Sequence, residues 1–148
     1  MTSQADFSEG DWKLVLEGPT GAAMLVVTAQ RGGSFVETLS IARAYSEARS
    51  RPGGSELVGS IVSAGPVVEH TRFHSTDEFR KACLAHLRCG LEVVAANATI
   101  DELDDYRQFI LWLCERVAQA HREDSGGDRE SSAEREALAE IHRELGLG

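Results

Sequence analysis

Apolar residues recur along much of the chain at spacings of three and four, which is the period of an amphipathic α-helix. The first such stripe predicts a helix over residues 34–49, and a shorter one follows at residues 57–62. The stripes are Phe35, Leu39, Ala42 and Tyr45; Leu57, Val58, Ile61 and Val62; Phe79, Cys83, His86, Gly90 and Val94; Leu103, Tyr106, Ile110, Leu113 and Val117; and Leu138, Ile141 and Leu145. Residues 100–123 are apolar over more than half of the helix circumference, which is typical of the central helix in a bundle.

Capping signatures mark where several of these helices begin. In each, a Ser or Thr is followed three residues later by an acidic side chain at the third helical position. They are Ser8 with Asp11, Ser75 with Glu78, Thr99 with Glu102, and Ser131 with Glu134. Phe7 and Trp12 surround the first cap at the spacing of a hydrophobic staple. Together these signatures favour an all-α fold.

The predicted architecture is a compact bundle of about five helices, residues 1–123, with an appended amphipathic C-terminal helix, residues 131–148. Between them, residues 124–130 read DSGGDRE and contain no apolar residue, so we expect a flexible linker. Residues 22–27 and 61–68 are rich in β-branched residues, which leaves strands there as an alternative.

The stretch KLVLEGPTGAAML, residues 13–25, resembles a strand that enters a phosphate-binding loop. The loop of NTPases reads G-x-x-x-x-G-K-[ST] and needs a second glycine, a lysine and a hydroxyl group. Counted from Gly18, those positions hold Ala23, Met24 and Leu25. All three requirements fail, so the sequence does not predict a nucleotide site here.

We instead expect a helix that starts at Ser8 and is carried to Glu17. It should stop or kink near Pro19, because proline lacks the N–H for the intrahelical bond and its ring crowds the preceding turn. The small residues 21–23 then offer a surface that another helix can approach closely.

Charge and composition exclude several classes of partner. The net charge is −9, with 15 basic and 24 acidic residues, which argues against sequence-independent nucleic-acid binding and against anionic membrane surfaces. The opening residues, MTSQADFSEG, have neither a basic region nor an apolar stretch, so we expect no secretory signal. The longest apolar run, Ala22 to Val27, is too short to cross a bilayer. Three cysteines without a C-x-x-C pair predict reduced thiols and a cytoplasmic location.

Candidate metal ligands cluster around the start of the fourth helix. His70, His74 and Asp77 lie close together in sequence, and His86 falls within Cys83-x-x-His86-x-x-Cys89. On a helix the latter three residues fan over roughly 120°, too widely for one compact site. Solvated loop residues, helix-start acids and a boundary histidine explain the same patterns. The sequence therefore predicts no complete catalytic, cofactor or metal site, and these residues are its weak metal candidates.

Three segments carry a family resemblance: FSEGDWKLVLEGP at the start, residues 101–123, and SSAEREALAEIHRELG at residues 131–146. They resemble an uncharacterised family of small bacterial helical proteins with an F-S-x-x-x-W opening, a Tyr-Arg helix that ends in V-A-x-A, and an S-x-x-E-x-x-A-L-x-E-I helix. The resemblance implies an all-helical fold and no activity. Relatives carry an aromatic-glycine stretch where this chain has DSGGDRESS, which leaves the docking of the last helix open. A looser likeness to tellurite-resistance helical domains lacks their Asp-Gly metal-binding signature.

These observations favour a non-enzymatic, cytoplasmic protein-interaction module that binds a protein partner or itself. Binding would use an apolar helix face or the C-terminal helix, through Leu138, Ile141 and Leu145. The alternative is a metal- or small-molecule-binding helical protein that uses His70, His74 and His86 with nearby acids.

Overall fold

The computed structural model of the chain describes residues 4–29, 34–50, 55–66, 76–124 and 132–146. Within these ranges a short 3-10 helix, Gln4–Asp6, precedes six α-helices. They are α1 (Glu9–Ala29), α2 (Ser34–Ser50), α3 (Glu56–Ala64), α4 (Thr76–Asn97), α5 (Ile100–Asp124) and α6 (Ser132–Leu145). The described residues contain no strand, so the all-α prediction is confirmed. The strand alternative is wrong for residues 22–27 and 61–64, which lie in α1 and α3.

Two of the predicted caps are present in the structure. The Asp11 N–H donates to Ser8 Oγ at 3.1 Å, and the rings of Phe7 and Trp12 lie 5.7 Å apart as the staple requires. At α5, the Glu102 N–H donates to Thr99 Oγ1 at 3.2 Å, and the Thr99 N–H donates back to Glu102 Oε1 at 3.1 Å. The caps predicted at residues 75 and 131 lie outside the described residues.

A further cap, at the start of α3, was missed by the sequence prediction. Ser55 Oγ accepts from the Val58 N–H at 3.2 Å, and the Ser55 N–H donates to Asp105 Oδ2 of α5 at 2.7 Å. This second bond joins residues 50 positions apart, so no local pattern could have revealed it. Gly65, with φ +83°, ends α3, and its N–H donates to the carbonyls of Ile61 and Val62.

Two helices, α1 and α5, form the centre of the bundle. Each contacts all of the other α-helices, and α1 packs most extensively against α4. The predicted central position of α5 is confirmed, since Tyr106, Ile110 and Leu113 are fully buried. The structure adds α1 to the centre through Val15 and Val26.

Helix α1 runs through Pro19 as one helix, so the predicted stop after Glu17 is wrong, while the predicted kink at Pro19 stays a prediction. Pro19 leaves the carbonyl four residues earlier, that of Val15, without its intrahelical donor. The Tyr106 hydroxyl supplies a replacement by donating to Val15 O at 2.7 Å. The helix continues because a long-range hydrogen bond from α5 satisfies the acceptor that proline leaves free.

Two glycines make room for that tyrosine where α1 crosses α4. A Cβ at Gly90 would lie 2.6 Å from the Tyr106 hydroxyl oxygen and 3.1 Å from Gly18 Cα. A Cβ at Gly18 would collide with the same hydroxyl. The predicted close approach of two helices next to Pro19 is therefore confirmed, and α4 is the partner helix.

Candidate functional site

Helix α6 covers a surface formed by α1, α4 and α5, which we call the α6 groove. Ala137, Ile141 and Leu145 lie one turn apart on α6 and are all buried. Leu138 is partly buried and also packs against the core. The apolar stripe that the sequence showed is thus the face with which α6 packs on its own bundle.

Charged pairs seal the edge of the α6 groove on the α4 side. The Arg88 guanidinium holds the Glu144 carboxylate with two bonds, Nη2 to Oε1 at 2.6 Å and Nε to Oε2 at 2.9 Å. Arg80 Nε donates to Glu140 Oε2 at 3.3 Å. Since the lower-numbered arginine meets the lower-numbered glutamate, α6 runs in the same general direction as α4.

The bidentate pair changes the proton affinity of both partners. The hydrogen bond from Arg88 lowers the pKa of Glu144 below its ordinary value of 4.5. The same hydrogen bond raises the pKa of Arg88. Arg88 remains 57% exposed, so solvent screens the pair and its contribution to stability is small.

The predicted interaction residues are therefore not free in this structure. Ile141 and Leu145 are 0% and 1% exposed, and a protein partner reaches them only when α6 leaves the groove. The sequence left open whether α6 docks on its own bundle, and in this structure it does.

A second polar feature lies inside the α1–α4 interface. Glu17 is 5% exposed, and its Oε2 lies 3.0 Å from His86 Nδ1. Its Oε1 is buried, accepts no hydrogen bond from the residues that the structure describes, and lies 3.6 Å from Lys13 Nζ. Gly21 allows this approach, because a Cβ there would lie 3.0 Å from the Cys83 carbonyl oxygen and from His86 Cβ.

This arrangement assigns His86 to helix pairing, as expected for a boundary histidine. The sequence missed its partner, Glu17, because the two residues belong to separate helices and no local motif joins them. The nearby thiol of Cys83 is buried, and burial raises its pKa to about 12. It therefore stays protonated at neutral pH, which makes it a poor nucleophile.

The structure brings together no metal ligand set in the part of the chain that it describes. Within those residues, no three His, Cys, Asp or Glu side chains converge on a point that could hold an ion. His70 and His74 lie outside the described residues, and so does the side chain of Asp77. A metal site that uses them stays a prediction, which elemental analysis of untagged protein can test.

The acidic residues at the start of α5 have structural contacts. Glu102 belongs to the cap of α5, and Asp105 accepts from the N–H that begins α3. The remaining two acids, Asp101 and Asp104, are exposed. This distribution agrees with acids that complement a helix N-terminus.

The central core contains two tyrosines and a thiol in different situations. Tyr106 donates to Val15, whereas the fully buried Tyr45 hydroxyl has no hydrogen-bond partner among the described residues. Burial raises the pKa of both phenols and of the Cys114 thiol. All three groups are therefore neutral at physiological pH and belong to the packed interior.

Comparison of the chain with protein-family models, curated proteins and solved structures gives no match. The resemblance to a family of small helical proteins thus stays a prediction. Among the described helices, none is both long enough and apolar enough to cross a bilayer.

Proposed function

We propose that this protein is a non-enzymatic, cytoplasmic helical interaction module whose binding surface is the α6 groove. One observation carries the proposal: α6 occupies the groove with the features of a bound helical ligand. It contributes a row of buried apolar side chains and two acidic residues paired with arginines at the rim. Helix-in-groove recognition uses this combination of anchors one turn apart and polar contacts at the edge.

The exposed surface offers no comparable apolar site in the described ranges. There the only large hydrophobic side chain that is mostly exposed is Ile100, at 86%. A lone exposed apolar residue is ordinary on a soluble domain. The groove under α6 is therefore the better candidate for a protein-binding surface.

The contacts of α6 define the chemistry of a partner helix. Such a helix needs a small residue at i, a branched aliphatic residue at i+4 and a leucine at i+8, as in Ala137, Ile141 and Leu145. Carboxylates at i+3 and i+7, where α6 has Glu140 and Glu144, meet the two arginines. The proposed partner is an acidic amphipathic helix.

Charge and thiols support the rest of the proposal. The net charge of −9 disfavours nucleic acid as the partner. Cys83, Cys89 and Cys114 are all free thiols, as expected in a reducing cytoplasm. The resemblance to small bacterial helical proteins is part of the same proposal and implies no activity.

The test is binding of a fluorescent peptide, residues 131–146, to the full chain carrying Ile141→Ala. The substitution weakens the chain's own α6, so the peptide should bind about tenfold or more tighter than to the wild-type chain. Glu136→Ala, on the exposed face of α6, is the matched control and should leave peptide binding at the wild-type level. Equal, negligible binding to all three chains would contradict the proposal.

A further inference from the structure

We infer that the partner helix is α6 of a second copy, so that two chains exchange their C-terminal helices and each fills the other's α6 groove. This inference rests on the proposed function, because it names the occupant of the same groove. The sequence known to fit the groove is α6 itself, with its buried stripe and its two arginine contacts. Two copies related by a two-fold axis can exchange α6 and form a closed dimer.

The exchanged arrangement keeps every contact that α6 makes in the closed chain. Ile141 and Leu145 would fill an identical groove, and Glu144 would meet Arg88 of the second copy. The two arrangements therefore differ mainly in the connection and in the entropy of association. Because residues 125–131 contain no apolar side chain and two glycines, they bring little apolar burial to either arrangement.

The connection is also long enough for exchange. It has seven residues, since α5 ends at Asp124 and α6 begins at Ser132, and when extended it reaches roughly 23–25 Å. Helix α6 has 14 residues, which corresponds to a length of about 21 Å. The start of α6 can therefore lie up to roughly 23–25 Å from the end of α5, whether α6 packs on its own chain or on a copy that lies alongside.

Concentration decides which arrangement dominates. A short tether holds α6 near its own groove at an effective concentration on the order of mM. The closed monomer should therefore prevail at micromolar concentration. Exchange should grow as the protein concentration approaches the effective concentration, or when the closed contact is made unfavourable.

A charge-reversed pair of full-length variants tests the exchange. Arg88→Glu and Glu144→Arg each place two like charges together when α6 stays on its own chain. In a mixture, exchange puts the new carboxylate at position 88 against the new guanidinium at position 144, and restores the native pair in the other groove. We expect native mass spectrometry to show a dimer of twice the 16.1 kDa chain mass that contains one chain of each kind. The dimer fraction should exceed that of either variant alone by about tenfold, the effect of 1.4 kcal/mol in an equilibrium.

A second charge pair supplies the matched control. Arg116 Nε donates to Glu47 Oε2 at 2.7 Å and joins α5 to α2, so neither residue travels with α6. Mixing Arg116→Glu with Glu47→Arg should therefore give no more dimer than the wild-type chain gives at the same concentration. A heterodimer fraction in this control mixture as large as that of the Arg88→Glu and Glu144→Arg mixture would overturn α6 exchange, since the dimer would then arise elsewhere.

Two further results complete the test. If the Arg88→Glu and Glu144→Arg mixture stays monomeric, exchange is overturned. A peptide of residues 131–146 carrying Glu144→Arg then decides the proposed function separately: binding to the Arg88→Glu chain retains it, and no binding rejects it.

Should a variant fail to fold, the wild-type chain provides the test, because its dimer should accumulate as the concentration rises to about 1 mM. A constant monomer mass over that range would refute the exchange.

Discussion

Helices α1 and α6 both pack against α4 and α5, yet the structure holds them in different ways. At the α1 crossing, Gly18 and Gly90 bring backbones together and the Tyr106 hydroxyl reaches the Val15 carbonyl inside the core. At α6, three side chains on one face are buried and the rim is sealed by solvent-accessible charges. The α1 crossing is fixed by backbone contact, whereas α6 is held by side chains that a second helix could imitate.

The largest contrast should come from the same isoleucine-to-alanine substitution made in both regions. Ile110 in α5 and Ile141 in α6 are each 0% exposed. Ile110→Ala should lower the free energy of unfolding by about 2–5 kcal/mol, as in a closed core. Ile141→Ala should lower it less, because the loss cannot exceed the free energy with which α6 docks. Urea unfolding followed by circular dichroism measures both, and equal losses would remove the distinction between the two regions.

Added volume at the crossing should be the next largest effect. Gly90→Ala should destabilise the protein by more than about 2 kcal/mol, because the new methyl group meets the Tyr106 hydroxyl and two backbone atoms of α1, and relief requires breaking the bond to Val15. Gly59→Ala in α3 is the control, since its Cβ would meet nothing within 4 Å. It should stabilise the protein by about 0.5–1 kcal/mol through helix propensity. A harmless Gly90→Ala would show that the crossing tolerates backbone separation.

The two buried tyrosines separate a paired hydroxyl from an unpaired one. Tyr106→Phe leaves the Val15 carbonyl without a donor and should cost about 1–3 kcal/mol. Tyr45→Phe removes a hydroxyl without a partner among the described residues, so it should be neutral or stabilising.

Pro19 provides a test of the reason for the Tyr106 bond. In the double variant Pro19→Ala and Tyr106→Phe, the new backbone N–H can serve Val15, so the double change should cost less than Tyr106→Phe alone. Thermal melts of the four chains measure this coupling. If the stability losses of the two single variants simply add in the double variant, the Tyr106 hydroxyl does not replace the backbone donor that proline lacks.

The smallest effect belongs to the rim of the α6 groove. Arg88→Ala should lower stability less than any of the destabilising changes above, and the loss should shrink as salt is added. Acid should have a related effect. The pKa of Glu144 is lowered in the docked state, so its contribution is complete above the ordinary value of 4.5 and is lost as the pH falls through the lowered value. Hydrogen exchange of α6 amides from pH 6 to pH 3, corrected for intrinsic rates, measures the weakening, which Glu144→Gln should abolish.

Local patterns predicted most of the fold. The helical spacing of apolar residues and the capping residues together predicted the helices. Both signals are local, because the Ser8 and Thr99 caps and the apolar stripe through Tyr106 depend on residues within a few positions of one another. The predicted stop at Pro19 was wrong for a physical reason. The donor that lets α1 continue belongs to Tyr106, 91 positions from its acceptor Val15, and sequence spacing does not reveal such a pairing.

The candidate site was only half predictable. The sequence shows the apolar stripe of α6, but it does not show the surface on which that stripe packs, since the same stripe suits packing on its own bundle and binding to a partner protein. Arg80 and Arg88, which define the groove's preference for acids, are ordinary surface arginines when read along α4. Likewise, Glu17 and His86 meet only after α1 and α4 pack together.

Native-state hydrogen exchange in low urea tests most directly whether α6 can leave its groove while the bundle stays folded. We expect α6 amides to exchange by local opening, at least about tenfold more often than the buried amides of α1 and α5, with little dependence on urea. If α6 amides exchange only with the global unfolding of α1 and α5, and with the same urea dependence, α6 is an integral part of the core and the proposed binding groove does not exist.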